Sequence, residues 1–183
     1  MDAERPRVSL AILVRDEATG IASAIESAAR FVDEVVVRDT GSSDGTREVA
    51  ASLGARVVRG SFRDHFGEAR NRLLDACGSE WVLVLDADER IVAGGEAILR
   101  LVQDERALAF TVEVESPTGF GRVERSGPVR LFRRSPEARY VHRVHETLPA
   151  RRTRPAAIRI EHSGFLPSRR HAKCRRNLAL LEH

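Results

Sequence analysis

The stretch "WVLVLDADER", residues 81–90, decides the fold. Val82, Leu83, Val84 and Leu85 form an unbroken apolar run, the pattern of a strand covered on both faces rather than the alternation of a half-exposed one. That run ends in Asp86, Ala87, Asp88 and Glu89, so three carboxylates stand at the mouth of the core. Carboxylates in such a place suffer desolvation and mutual repulsion, and a divalent cation is the usual means of offsetting both. Magnesium and manganese suit the position, because they take carboxylate oxygens while keeping sites for water and substrate phosphates.

Working back from residue 81, three more strand-like runs appear: "VSLAILV" (8–14), "EVVVRD" (34–39) and "ARVVRG" (55–60). Helical segments separate them. Ile21, Ala24, Ile25 and Ala28 recur at helical spacing; a second helix follows "TGSSDG" from Thr46 to Leu53; Phe66, Ala69, Leu73 and Ala76 share one face of a third. This βαβαβαβ alternation predicts an α/β fold with a mostly parallel central sheet and right-handed crossovers. Beyond a short helix over residues 95–102 the rhythm changes. "ALAFTVEVES" (107–116) and "PVRLFRR" (128–134) read as an antiparallel hairpin around residues 117–127, "AIRIEHSGF" (157–165) as a further strand, and Ser168–Leu181 as a basic terminal helix. The expectation is one domain over 1–183, with a mostly parallel half at 1–104 and a small antiparallel part within 105–183.

Composition narrows the class of protein. Hydrophobic residues make up 42% of 183, and no apolar run approaches the ~20 residues of a membrane span. Two cysteines cannot frame a disulfide scaffold, and the charged N-terminus lacks an apolar leader, so the expected location is cytoplasmic. Charge is unevenly placed. Residues 1–119 hold 14 basic and 22 acidic side chains, while residues 120–183 hold 16 and 5. The basic half predicts an anionic partner, which includes peripheral contact with the inner face of an anionic membrane.

Ligands of open parallel sheets sit beyond the carboxyl ends of the strands. Three polar clusters fall there: "RDE" (15–17), "DTGSSDGT" (39–46) and "DADE" (86–89). Asp44 or Ser43 is placed to cap the helix starting near Thr46. Asp39 ends its strand on the binding edge, where it can accept an N–H from a nucleobase. Arg70 and Asn71 lie within an otherwise apolar helix, and Arg70 can point toward a base or diphosphate.

In their order along the chain, "LAILVRDEATGIASAIESAARFVDEVVVRDTGSSDGTREVAASLGARVV", "FGEARNRLLDACGSEWVLVLDADE", "RLFRR", "YVHRVHE", "EHSGF" and "KCRRNLALLE" resemble the successive motifs of family 2 glycosyltransferases, in particular the bacterial branch of lipopolysaccharide-core and tetratricopeptide-associated enzymes. The resemblance implies a GT-A fold, with a nucleotide-sugar-binding half at 1–104 and an acceptor half at 105–183, and an inverting transfer from a nucleotide-sugar, with a UDP-sugar as the expected donor and Mn²⁺ or Mg²⁺ as cofactor. By the same resemblance Asp39 meets the uracil, Arg15 and Glu17 line the nucleotide, Arg70 faces base and diphosphate, Asp86 with Ala87 reaches the ribose, and Asp88 holds the metal together with Asp86 and His162. Glu146 stands where the general base is expected, with His145 before it placed to orient it. "RDE" replaces the Lys-Asn-Glu common in this branch. The acceptor implied is a glycan, a lipid-linked saccharide or a protein. A nucleotidyltransferase would need a Gly-rich, Lys-containing loop after the first strand, which "VRDEATG" lacks. A nucleic-acid-binding domain would account for the basic half but leave the carboxylates unexplained.

Overall fold

The four apolar runs of the first half become adjacent parallel strands: β1 (Val8–Val14), β2 (Glu34–Asp39), β3 (Arg56–Arg59) and β4 (Trp81–Asp86), in the spatial order β3-β2-β1-β4. The computed structural model describes residues 7–119, 122–150 and 152–163. Register places the chemistry at one edge, because Val14 lies opposite Asp39, Leu13 opposite Asp86, and Asp39 opposite Arg59. Three of the crossovers carry helices: α1 (Ile21–Ala28), α2 (Thr46–Ser52) and α3 (Phe66–Ala76).

Side-chain parity explains both the core and the site. Trp81, Leu83 and Leu85 face the α1 side with Ile12, Ile21 and Ile25, whereas Val82 and Val84 face the α3 side with Leu73, Leu74 and Phe132. Residues 81–85 are at most 1% exposed, as an unalternating run requires. Fully burying side chains of this size stabilises by about 1.5–3 kcal/mol each, which anchors the strand end. Continuing the same parity, Asp86 emerges on the α3 side, where Arg70 waits. Asp39 follows Val37 onto the α1 side, and Arg38 follows Val36 onto the α3 side.

The expected antiparallel pairing of residues 107–116 with 128–134 is present, Ala109 lying opposite Phe132, but the second half holds more than that hairpin. A strand directly after the carboxylates, β5 (Glu89–Ala93), is followed by the five-residue helix α4 (Ala97–Leu101), shorter than the 95–102 anticipated. Strand β6 (Ala109–Gly119) runs past the expected turn, and residues 122–126, expected as loop, form β7 (Arg122–Ser126) against it. Strand β8 (Val129–Arg133) inserts between β4 and β6, antiparallel to both. Strand β9 (Thr153–His162) begins earlier than expected, pairs in parallel with β6 and antiparallel with β5, and completes the nine-stranded sheet. The antiparallel part is therefore larger than anticipated, because residues 122–126 extend it locally and long-range pairing draws β4 and β5 into it through β8 and β9. The expected helix at 168–181 lies outside the described residues. No helix among the described residues is long and apolar enough to cross a membrane.

Candidate active site

The loop after β1 is built to fold back on the loop after β2. Asp16 takes φ 53°, a left-handed conformation that Asp and Asn tolerate better than most residues. Its N–H donates to Ser42 Oγ at 2.9 Å, and its Oδ1 accepts from Ser43 N–H at 2.7 Å. The Asp of "RDE" thus meets a backbone demand that Asn would also meet. Glu17 N–H donates to Thr46 Oγ1 at 2.9 Å. Asp44 accepts from Thr46 N–H at 3.0 Å and from Ala18 N–H at 3.1 Å, while Gly45 occupies the N-cap position of α2. Asp44 is therefore a clasp between two loops rather than the helix cap expected of it.

Asp39 sits at the centre of that clasp and is 1% exposed. Its Oδ1 accepts from the N–H groups of Gly41 (2.9 Å) and Ser42 (3.0 Å), with Arg47 Nη1 at 3.6 Å. Burial would raise its pKa, but the hydrogen bonds from Ser42 and Gly41 and the charge of Arg47 hold it below the ordinary value. Its Oδ2 is buried and has no hydrogen-bond partner. A groove at this point is lined by Asp39, Arg15, Arg47, Arg59, Gly60 and Phe62.

A second cleft of about 230 Å³ shares Arg15, Thr40 and Phe62 with that groove, so the two adjoin. Glu17, Arg70, Asp86, Ala87, Asp88, His145 and Glu146 also line it, which brings nearly all the sequence-derived site residues to one place. Arg70, 8% exposed, donates from Nη2 to Asp86 Oδ1 at 2.6 Å and from Nε to Glu146 Oε1 at 2.7 Å. Burial opposes its charge, yet Asp86, Tyr140 and Glu146 raise its pKa well above the usual value. Burial would likewise raise Asp86, but Arg70 and Arg130 keep it far below the carboxylate range.

Asp88 and His162 meet because β5 pairs Glu89 with His162 on β9. Asp88 Oδ2 lies 3.3 Å from His162 Nε2, Ser116 Oγ lies 3.4 Å from Nδ1, and Ser163 donates to Asp88 O from both N–H (2.9 Å) and Oγ (3.0 Å). A carboxylate and an imidazole facing each other, with a hydroxyl at the far ring nitrogen, fit a divalent cation that takes its remaining ligands from water and phosphate. Among the described residues no group of three or more His, Cys, Asp or Glu side chains converges as a complete metal cage. Both oxygens of Asp86 already face guanidinium groups, which separates its surroundings from those of Asp88.

Glu146 belongs to a small loop closed by a bridge between Val141 and Thr147 and mounted on α3. Two N–H groups at the start of α3, those of Phe66 and Gly67, donate to Arg143 O (2.9 Å) and His142 O (3.2 Å). Asn71 exchanges two bonds with the backbone of Tyr140, at 2.9 and 2.8 Å. His142 and His145 take φ 74° and 56°, and the His145 side chain is exposed beside the cleft. Arg70 is the group placed directly against Glu146.

The sequence pointed to neither Arg130 nor Phe62 at the junction of the two clefts, and it gave no sign that Glu89 would face Arg130 or that Asn71 would clamp Tyr140. Arg130 becomes visible only once β8 is known to pair with β4, because Phe132 opposite Val82 puts Arg130 on the α3 face with Asp86.

An α/β sheet with a polar cleft beyond the ends of its parallel strands and an antiparallel half beside it is a GT-A-type architecture. The chain belongs to glycosyl transferase family 2, whose model matches residues 9–161. It is 40% identical over 147 residues to a TPR repeat-containing protein of Synechococcus elongatus, covering 80% of this chain and 36% of that protein. It is 35% identical over 105 residues to an uncharacterized glycosyltransferase of Rickettsia prowazekii, covering 57% and 33% respectively. Glucosyl-3-phosphoglycerate synthase of Mycobacterium tuberculosis, solved with Mn²⁺, UDP-glucose and phosphoglyceric acid, superposes with a TM-score of 0.50 at 26% identity, over 60% of this chain and 44% of that one. The chain thus spans less than half the length of these relatives.

Proposed function

We propose that this chain is the catalytic domain of an inverting glycosyltransferase that uses a UDP-sugar and Mn²⁺ or Mg²⁺. The observation that carries the reading is the pair of adjoining clefts, one lined by Asp39 with its unpartnered Oδ2, the other by Arg70 and by Asp88, which faces His162. Asp39 Oδ2 accepts the uracil N–H. Asp86 meets the ribose, and Arg70 offers its buried, unpartnered Nη1 to the diphosphate. Asp88 and His162 would hold the cation, which when bound neutralises charge growing on the leaving diphosphate. The mycobacterial relative, solved with Mn²⁺ and UDP-glucose, supports this choice of donor and ion.

Glu146 takes the proton of the acceptor hydroxyl as its oxygen bonds the anomeric carbon, while the bond to the diphosphate breaks on the opposite face. Arg70 holds the Glu146 carboxylate at the cleft through one oxygen. The basic surplus of residues 120–183 favours an anionic acceptor, whose binding added salt should weaken.

Two substitutions separate these roles. Glu146→Gln should keep UDP affinity while lowering kcat by ~10²- to 10⁴-fold, because a general base acts only in the transfer step. His162→Ala should instead weaken UDP binding in the presence of Mn²⁺. Near-normal turnover in Glu146→Gln removes that residue from the chemistry.

A further inference from the structure

Asp86 is held from both sides by groups far apart in sequence. Arg70 on α3 takes Oδ1, and Arg130 on β8 approaches Oδ2 with Nη2 at 3.4 Å. Arg130 Nη2 also donates to Glu89 Oε1 at 2.5 Å, and Glu89 Oε2 accepts the N–H of Asp86 at 2.9 Å. Glu89 therefore closes the Asp86–Glu89 turn with its side chain and passes that constraint to Arg130. The side chains of Glu89 and Arg130 are 1% and 13% exposed, and neither lines the donor cleft. An ion pair this deep is weak evidence of stabilisation, because desolvation opposes its attraction, so its place calls for another reason.

We propose that Arg130 and Glu89 are positioning residues that set the carboxylate of Asp86 against the donor's ribose and fix the Ala87–Asp88 backbone beside it. The inference rests on the reading that Asp86 meets the ribose. Arg70 alone cannot supply this constraint, because it is shared with Glu146. Among the described residues the ion pairs of Arg130 are with Asp86 and Glu89, and it arrives on a strand paired directly to β4. The two guanidiniums leave the Asp86 carboxylate little freedom to rotate, the condition under which a single hydrogen bond discriminates between substrates.

The test compares the affinity of UDP with those of 2′-deoxy-UDP and 3′-deoxy-UDP, all with Mn²⁺. The unaltered chain should favour UDP over at least one analogue by roughly 10- to 100-fold, the value of a hydrogen bond to a charged group. Arg130→Met should collapse that ratio to within about threefold of the ratio for Asp86→Asn, and combining the two should add little further, as expected of groups acting as one. Arg130→Lys should restore part of it. A purely structural role would weaken all three nucleotides together and leave the ratio unchanged.

If Arg130→Met fails to fold, Arg130→Met with Glu89→Met removes both charges at once, and Glu89→Gln keeps the shape of the turn; each should still lower the ratio. A folded Arg130→Met or double variant with the full ratio overturns the inference alone. An unaltered chain that binds UDP but shows no preference for either ribose hydroxyl overturns the ribose reading and the inference with it.

Discussion

Gly67→Ala tests whether the mounting of the Glu146 loop on α3 sets the catalytic geometry. A methyl group at residue 67 would lie 2.7 Å from His142 O, 3.3 Å from His65 Cε1 and 3.4 Å from Tyr140 O. Two of these neighbours are backbone, so the loop must retreat by ~0.7 Å before the closest contact becomes ordinary. His142 O is also the acceptor of the Gly67 N–H, so the bond that anchors the loop is strained by the same movement. Within α3 the change gains up to about 1 kcal/mol of helix propensity, which offsets much of the overpacking. Stability should therefore stay within about 2 kcal/mol of the parent, while the shift carries Glu146 relative to Arg70 and the cleft. A misplacement approaching 1 Å can cost ~10²-fold, so kcat should fall by ~10- to 100-fold with UDP affinity retained. Gly127→Ala, where an added methyl group meets nothing within 4 Å, is the control. Turnover and thermal melting of both variants provide the assay. Full turnover in folded Gly67→Ala would refute the idea that this mount carries the geometry.

Arg38 is 7% exposed, its Nε has no partner, and burial followed by the nearby Arg72 lowers its pKa. Arg38→Met keeps the buried stem and removes the charge, and should raise the melting temperature by about 2–4 °C, the shift expected for ~1 kcal/mol at this size; a clear drop would show that the guanidinium is stabilised where it sits. Acid should destabilise the fold through Asp39 and Glu34. Burial opposes their charge, but hydrogen bonds hold both below the ordinary 3.8 and 4.5, so their contribution is present above those values and is lost as pH falls through the lower folded ones. Melting temperature should thus decline from about pH 5 toward pH 2, with a shallower slope in Asp39→Asn; identical slopes would remove Asp39 from the acid response.

The parallel half was legible because its signals are local. Apolar runs of strand length, helical spacing between them and polar clusters at their ends specify both the sheet and the edge at which Asp39, Asp86 and Asp88 emerge. The antiparallel half was less so. Which strand β8 joins depends on pairing between residues some fifty positions apart, such as Trp81 with Arg133, and no local pattern encodes that choice. For the same reason Arg130 went unseen beside Asp86, and the strand at residues 89–93 was hidden behind a turn-like cluster of acids. Asp44 was misplaced for a subtler reason. Its side chain bonds Thr46 N–H as an N-terminal residue should, but from one position before the cap, which frees its second oxygen for Ala18.

The central claim is that the two adjoining clefts bind a UDP-sugar through Asp39 at one end and an ion-holding Asp88–His162 pair at the other. Titration calorimetry of UDP with Mn²⁺, repeated with a chelator and with Asp88→Asn, tests it most directly. The account predicts saturable binding with Mn²⁺ that is lost, or weakened at least ~10-fold, when either the ion or the Asp88 carboxylate is removed. Equal UDP affinity in all three conditions, or no binding with Mn²⁺ present, would contradict it.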